Sequence, residues 1–383
     1  MIFTHIKLTN WKNFKTVDVQ LNERVFVIGA NASGKSNFLD VFRFLRDVAK
    51  PKGGGLQQAV ALRGGVSKMR ALAARKNPLI EIEVGVGDPS GRREAFRYGI
   101  GIRQENKGKR RTMLAYEKVW KGDALILNRP GDTPDDTADD ELLTETYLET
   151  PKTNAEFREI ADLFASVSYL HLVPQMLRSV KSVEVEQAGE DFYGRNFLVR
   201  VSKTTEKTRK ARLKRIMDAL AHALPQFDKL KDDRDDAGVP HLFLRLKHWR
   251  PDAGWQSEEQ FSDGTIRMLG LFWSMLEGDS VLLFEEPELS LNDKIVELLP
   301  GLLWKLQASR GRQAILTTHS HALLSDRGIR PEEVLLLEPL SEGTGITQVS
   351  LIPEVVALTT AGMPIGDAVL PRTAPQTVDQ LLL

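Results

Sequence analysis

Gly29-Ala30-Asn31-Ala32-Ser33-Gly34-Lys35-Ser36 stands between the apolar run Val25-Phe26-Val27-Ile28 and a periodic segment from Phe38 to Val48. That order reads as strand, loop and helix, with G-x-x-x-x-G-K-S in the loop. Glycines let backbone N–H groups turn inward around a phosphate chain, and the helix that follows aims its positive end at the same place. The helix dipole alone contributes only about 0.3–1 kcal/mol at an exposed site. A triphosphate therefore also needs Lys35 on its outer phosphates and a Mg²⁺ ion held by the Ser36 hydroxyl. The competing reading is a tight strand-to-helix turn that binds nothing.

The 383 residues suffice for a large core and one or two domains. The 52 basic and 52 acidic side chains balance, so no global charge forces a nucleic-acid partner, although a local patch would still attract one. The absence of cysteine excludes disulfides, thiolate zinc sites and cysteine nucleophiles together. Met1-Ile2-Phe3-Thr4-His5-Ile6 has no basic region followed by an apolar run, and no apolar stretch reaches the ~18 residues of a membrane span. The expectation is a soluble, unexported, cytoplasmic protein with no membrane partner.

Before the loop, Ile6 and Leu8, then Val17, Val19 and Leu21, alternate as short strands around a turn at Asn10-Trp11-Lys12-Asn13. After it, Phe38, Leu39, Phe42 and Leu45 mark one helical face. The Gly-rich segment from Pro51 to Gly65 reads equally as a loop near the nucleotide edge or subunit boundary and as a flexible linker. Residues 79 to 127 alternate as an antiparallel meander, with Lys107, Lys109, Arg110 and Arg111 on a polar turn. Residues 131 to 141 are too acidic to bury apolar surface and read as a mobile loop. A helix follows from Asn154 to Phe164, then a strand-like run from Val167 to Val173. The helix from Lys203 to Leu224 crowds Lys207, Lys210, Arg212 and Arg215 near its start, a face that suits either solvent or DNA. Asp232 to Asp236 reads as a polar loop, which argues against a metal-nuclease site there.

Val281-Leu282-Leu283-Phe284-Glu285-Glu286 is a buried strand that ends in two carboxylates, at the position where parallel sheets bind ligands. Glu285 suits Mg²⁺ or its water, and Glu286 suits the general base that polarises the attacking water. Phe261-Ser262-Asp263-Gly264-Thr265 opens an amphipathic helix and, by itself, is ordinary capping chemistry. His319 closes the strand Ala314 to Thr318, where it serves either the fold or a γ-phosphate and the catalytic water.

Taken in order, the phosphate loop through Asn37, Phe261 to Thr265, Leu282-Leu283-Phe284-Glu285-Glu286-Pro287-Glu288-Leu289-Ser290-Leu291 and Thr317-Thr318-His319-Ser320 resemble the ATP-binding cassette ATPases. The nearer likeness is to the RecF/SMC-like branch and its OLD-type and AAA-21-type relatives. The resemblance implies an α/β P-loop ABC-ATPase head, a mixed sheet flanked by helices with a compact inserted α+β lobe. Residues 1–102 and 255–352 would form the head, 103–254 the lobe and 353–383 a tail, largely non-helical until its apolar end at Val378 to Leu383.

The resemblance further implies a head-to-tail homodimer or higher homo-oligomer with ATP at the interface. Asn31, Ala32, Ser33, Gly34, Lys35, Ser36 and Asn37 would surround the phosphates. Ser262 and Gly264 would reach the γ-phosphate held by the other copy's Lys35. Gln175 matches the Q-loop glutamine, which contacts nucleotide and metal. The first Walker B carboxylate is glutamate where most relatives have aspartate, Asp263 replaces a common glycine, and Asn292 stands at the D-loop position. Catalysis would then rest on Glu286, His319 and Lys35, with Ser36, Glu285 and Gln175 around the metal. Roughly thirty residues follow Ile352, fewer than the ~100 of a typical additional nuclease domain. Short relatives of this kind act with a separately encoded nuclease or toxin in anti-phage defence, and a RecF-like DNA-repair clamp is the alternative role.

Overall fold

The computed structural model describes residues 1–74, 77–88, 94–105, 110–131, 140–178, 191–247, 250, 254–279 and 281–374, with residues 222 and 223 described in backbone only. The strands in chain order begin with β1 (Ile2–Trp11), β2 (Phe14–Gln20), β3 (Arg24–Gly29), β4 (Ile80–Gly87) and β5 (Glu94–Gln104). They continue with β6 (Thr112–Lys121), β7 (Ala124–Arg129), β8 (Ser168–Leu170), β9 (Phe227–Arg234) and β10 (Pro240–Leu246). The last are β11 (Trp255–Ser257), β12 (Leu282–Glu285), β13 (Ala314–Thr317), β14 (Val334–Leu340) and β15 (Gly343–Gln348). The chain forms two compact units, one of residues 1–168, 279–283 and 300–383 and the other of residues 169–278 and 284–299.

In the first unit, β2-β1-β4-β5-β6-β7 form one antiparallel sheet in that order. The meander read from the alternation is present. β5 runs through residue 102, and β6 and β7 lengthen the same sheet, so residues 103–129 are built into this unit. A second sheet has the order β15-β14-β3-β13-β12-β8. Its centre is parallel: Val25 to Ile28 of β3 pair with β13 on one side and β14 on the other. All four side chains are buried, as expected of a parallel strand covered on both faces.

The helix Lys35–Ala49 is buried on more than the one face its periodicity marks. Val41 and Phe44 are as inaccessible as Phe38, Leu39, Phe42 and Leu45. An aromatic cluster fixes it, with Phe3 4.9 Å from Phe42, Phe42 5.6 Å from Phe38, and Phe164 of the helix Arg158–Ser166 stacked 5.5 Å from Phe3. Each fully buried phenyl contributes about 1.5–3 kcal/mol relative to exposure. The charged side chains that share the buried helix are paired. Arg63 donates to Asp40 (2.9 Å) and Asp47 (2.8 Å), and Lys12 reaches Asp40 at 2.6 Å. The Gly-rich segment is therefore pinned to the helix rather than free to act as a linker.

Three other sequence readings change. The strand-like run after Val167 is regular only over Ser168–Leu170, and Pro174–Arg178 is a short helix. Asp232 and Asp233 lie within β9, not in a loop, because Leu230 and Phe227 anchor that strand to β10. The segment after Pro353 is helical over Pro353–Thr360 and Ile365–Val369. Pro353 and Pro364 fall at helix starts, where no N–H is required. Lys107, Lys109, residues 132–139 and the apolar end 378–383 lie outside the described residues, while Arg111 pairs with Glu105 (3.2 Å) and Glu141 (2.5 Å).

The second unit holds the antiparallel sheet β9-β10-β11, in the order β11-β10-β9. Leu242 and Leu244 face inward, and the helices Phe197–Lys203 and Glu206–Ala223 pack on that side. Among the described residues, no helix is long and apolar enough to cross a membrane.

Burial opposes ionisation of Asp40, but Arg63 and Lys12 outweigh it and hold this carboxyl below the usual carboxylate range. A depressed acid stabilises the fold above its unfolded pKa of about 4 and loses that contribution as pH falls through the folded value. Arg63→Leu should cost about 1–3 kcal/mol, since it removes charged hydrogen bonds to two buried carboxylates while Lys12 still pairs with Asp40 and Arg46 with Asp47. It should also flatten the acid limb of a urea-unfolding series measured against pH.

Candidate nucleotide site

β3 delivers the phosphate loop at the end of the second sheet. Ala32 and Gly34 take left-handed backbone (φ 60° and 98°), which turns the loop back on itself before the helix begins. Gly34 is the N-cap and offers no side chain, so the first N–H groups of the helix are not capped from within it. Ser33 is fully buried, and its Oγ has no hydrogen-bond partner among the described residues. The Lys35 ammonium, also buried, donates to the Gly29 and Ala30 carbonyls, both at 3.1 Å. Asn31, Ala32 and Ser36 are exposed and Asn37 is half-buried. An uncapped helix start, an unmatched buried hydroxyl and a lysine folded over the loop make a cradle that fits a phosphate chain.

The turn at residues 10–13, read from sequence only as a connection, braces this loop. Asn13 donates its amide to Ser33 O (3.0 Å) and Thr344 Oγ1 (2.8 Å), and accepts from Asn37 Nδ2 (2.8 Å). Thr344 donates to the same Ser33 carbonyl at 2.9 Å, and the Trp11 indole N–H binds Asn37 O at 2.9 Å. A Cβ at residue 34 would stand 2.0 Å from the Asn13 amide nitrogen, so this position is closed to any side chain. His319 follows β13, whose neighbour is β3. Thr318 N–H binds Val27 O at 3.2 Å, which sets the Thr-His turn at the same end of the sheet as the loop.

The remaining predicted residues belong to the second unit. Ser262 caps the helix Asp263–Leu276, accepting from Thr265 N–H at 3.2 Å, so its capping role is real. Any side chain at Gly264 would meet the Ser290 carbonyl at 2.6 Å. Arg267, on the same helix and almost fully buried, donates to the Glu286 carbonyl at 2.8 Å. Glu286 has left-handed backbone (φ 45°), a conformation costly for a glutamate, and this bond helps to hold it. Burial pulls the Arg267 pKa down, against Glu288 and Glu286, which favour its charge. The Tyr169 hydroxyl donates to the Glu285 carboxylate. Start of the Ser262 helix and end of the Glu285 strand are thus joined within one unit. Gln175 is exposed on the helix Pro174–Arg178, whose Arg178 donates to Phe261 O (2.7 Å) and Asp263 (2.6 Å) at the start of the Ser262 helix.

Asn13, Thr344, Tyr169 and Arg267 were not marked by sequence. Asn13 reads only as part of a turn, and Tyr169 and Thr344 act on groups 116 and 311 residues away, Arg267 on one 19 residues on.

A family model matches residues 24–326, described as AAA domain, putative AbiEii toxin, Type IV TA system. The chain belongs to this AAA_21 family. As a member it is an AAA-type ATPase, and its mixed sheets and helices have the fold of SMC heads. A crystal structure of an SMC head bound to the C-terminal winged-helix domain of ScpA superposes with a TM-score of 0.55 at 14% identity, covering 91% of this chain and 98% of that one. An SMC head with an extended coiled coil, bound to the C-terminal domain of ScpA derived from Pyrococcus furiosus, gives 0.53 at 13%, covering 94% and 99%. No curated protein matches the sequence. The ATPase family agrees with the phosphate-loop geometry.

Asn13→Ala should raise the Kd for a nucleotide about tenfold, about 1.4 kcal/mol, by calorimetric titration. Gly34→Ala should be worse, because it adds both the overlap with Asn13 and a strained φ.

Proposed function

We propose that this AAA_21 ATPase is an ATP-hydrolysing switch that closes head to tail as a dimer around ATP and Mg²⁺ and signals that closure to a separately encoded effector. The join between the Ser262 helix and the Glu286 turn through Arg267 carries the reading. A γ-phosphate contact made by the helix in one copy would bear directly on the position of that copy's own catalytic carboxylate.

In this reading Lys35 binds the outer phosphates, and the backbone of Asn31 to Asn37 cradles them. Mg²⁺, when bound, neutralises phosphate charge. Ser36 and Glu285 offer the hydroxyl and carboxylate oxygens such an ion prefers, with Gln175 a third donor from the same reading. Glu286 accepts a proton from the attacking water, and His319 orients that water or the γ-phosphate. Ser262 and Gly264 of the second copy complete the enclosure.

The family description, with its toxin and toxin–antitoxin terms, supports a role in anti-phage defence with a nuclease or toxin as effector. Both matched SMC heads are bound to a separate protein, which supports a protein partner here. A RecF-like DNA clamp would work through Lys207, Lys210, Arg212 and Arg215. Lys210 is paired with Glu206 (2.5 Å) at an exposed site and Arg212 lies over the Trp273 ring (5.2 Å), contacts that open at little cost, so the family description rather than these contacts favours effector control.

Glu286→Gln should bind ATP, stop turnover and run as a dimer by mass photometry with ATP and Mg²⁺; a monomer at saturating ATP sinks the composite site. Arg267→Met should bind ATP with little change yet lose at least tenfold in kcat, since it frees the Glu286 backbone.

A further inference from the structure

The three-stranded sheet of the second unit has one face that its own fold does not explain. Leu242 and Leu244 point inward to the helices, so by strand alternation Phe243 and Arg245 point the other way. The register sets Lys231 opposite Phe243, and both Lys229 and Trp255 opposite Arg245. Lys231 Nζ stands 5.2 Å from the centres of both the Phe243 and Trp255 rings, and the Arg245 guanidinium 5.6 Å from Trp255. Both rings are half-buried, and Lys229 and Lys231 are exposed. Carboxylates share the face: Asp233 pairs with Lys231 at 3.2 Å, Asp228 accepts from Arg245 Nε at 2.8 Å, and Asp235 lies 3.5 Å from His241, the neighbour of Phe243 on that side. The Lys231–Asp233 pair is solvent-exposed on both sides, and such pairs open at little cost.

We propose that this face binds single-stranded nucleic acid. Phe243 and Trp255 are diagonal neighbours on adjacent strands, a separation of about 7–8 Å that suits two successive unpaired bases. Lys229, Lys231 and Arg245 flank the rings and meet the phosphates, sliding from the ring faces as the bases arrive. Duplex DNA hides its base faces and gains nothing from the rings. An acidic peptide would use the cations and leave the rings idle. The surface is distinct from the Lys207 to Arg215 helix and requires neither ATP nor dimer closure, so its test stands apart from the proposed switch.

The test is fluorescence anisotropy of the full chain, without nucleotide, against a labelled oligothymidylate, the corresponding duplex, and polyglutamate as competitor. Single strand should bind and weaken steeply between about 50 and 200 mM salt, and duplex should bind at least tenfold more weakly. Trp255→Ala and Phe243→Ala should each weaken the single strand about tenfold or more. Lys229→Glu with Lys231→Glu, which leaves the rings and the inner face untouched, should do the same with an unchanged circular dichroism spectrum. Lys207→Ala with Arg215→Ala should have no effect. Absence of single-strand binding, equal binding of duplex, equal competition by polyglutamate, or indifference to the Lys229 and Lys231 changes overturns the proposal.

Discussion

The Asn13 side chain against Gly34 is the constraint on which the nucleotide site depends. One amide donates to the Ser33 carbonyl and to Thr344, while its oxygen accepts from Asn37. The loop can pass beneath it only because residue 34 has no Cβ. The second glycine of the loop motif thus serves two ends. It starts the helix without a side-chain cap, and it admits a brace from outside the motif. A loop held in this way is ordered before any ligand arrives, so binding need not also offset the cost of ordering it.

The second unit repeats the logic with a charge in place of a glycine. Glu286 is held in left-handed backbone, and the buried Arg267 binds its carbonyl from the neighbouring helix. A buried arginine is costly unless its donors are matched. Placing one at the start of the helix and the end of the strand makes each position depend on the other. Tyr169 acts likewise on the Glu285 side chain.

Charge on the rest of the molecule is largely spent on architecture. Asp40, Asp47 and Arg63 stitch the Gly-rich segment to the loop helix, and Arg24 pairs with Glu333 at 2.8 Å across a span of distant sequence. Much of the basic helix Glu206–Ala223 is similarly occupied, with Arg209 held by Asp232 at 2.7 Å. A run of positive residues in a sequence therefore overstates the free charge on the surface it forms. On the sheet face of Phe243, Trp255 and Lys231 the cations Lys231 and Arg245 are likewise paired, but two rings stand beside them.

Sequence by itself determined the parts whose physics is local. The buried strand, the glycine-bearing loop and the helix start follow from residues adjacent in the chain, as do the meander at period two and the cap at Ser262. It misjudged the breadth of burial of the helix Lys35–Ala49, since periodicity records one apolar face but not a second layer that covers Phe44 and Val41. It also read the tail after Pro353 as largely non-helical, where two short helices form. What only tertiary structure decided is which distant groups close on the local motifs: Asn13 and Thr344 on the loop, Arg267 on Glu286, Tyr169 on Glu285. Those pairings depend on register and packing between segments from 19 to 311 residues apart. A single sequence carries no local signal of such distances, because the same side chains would be equally acceptable on a solvated surface.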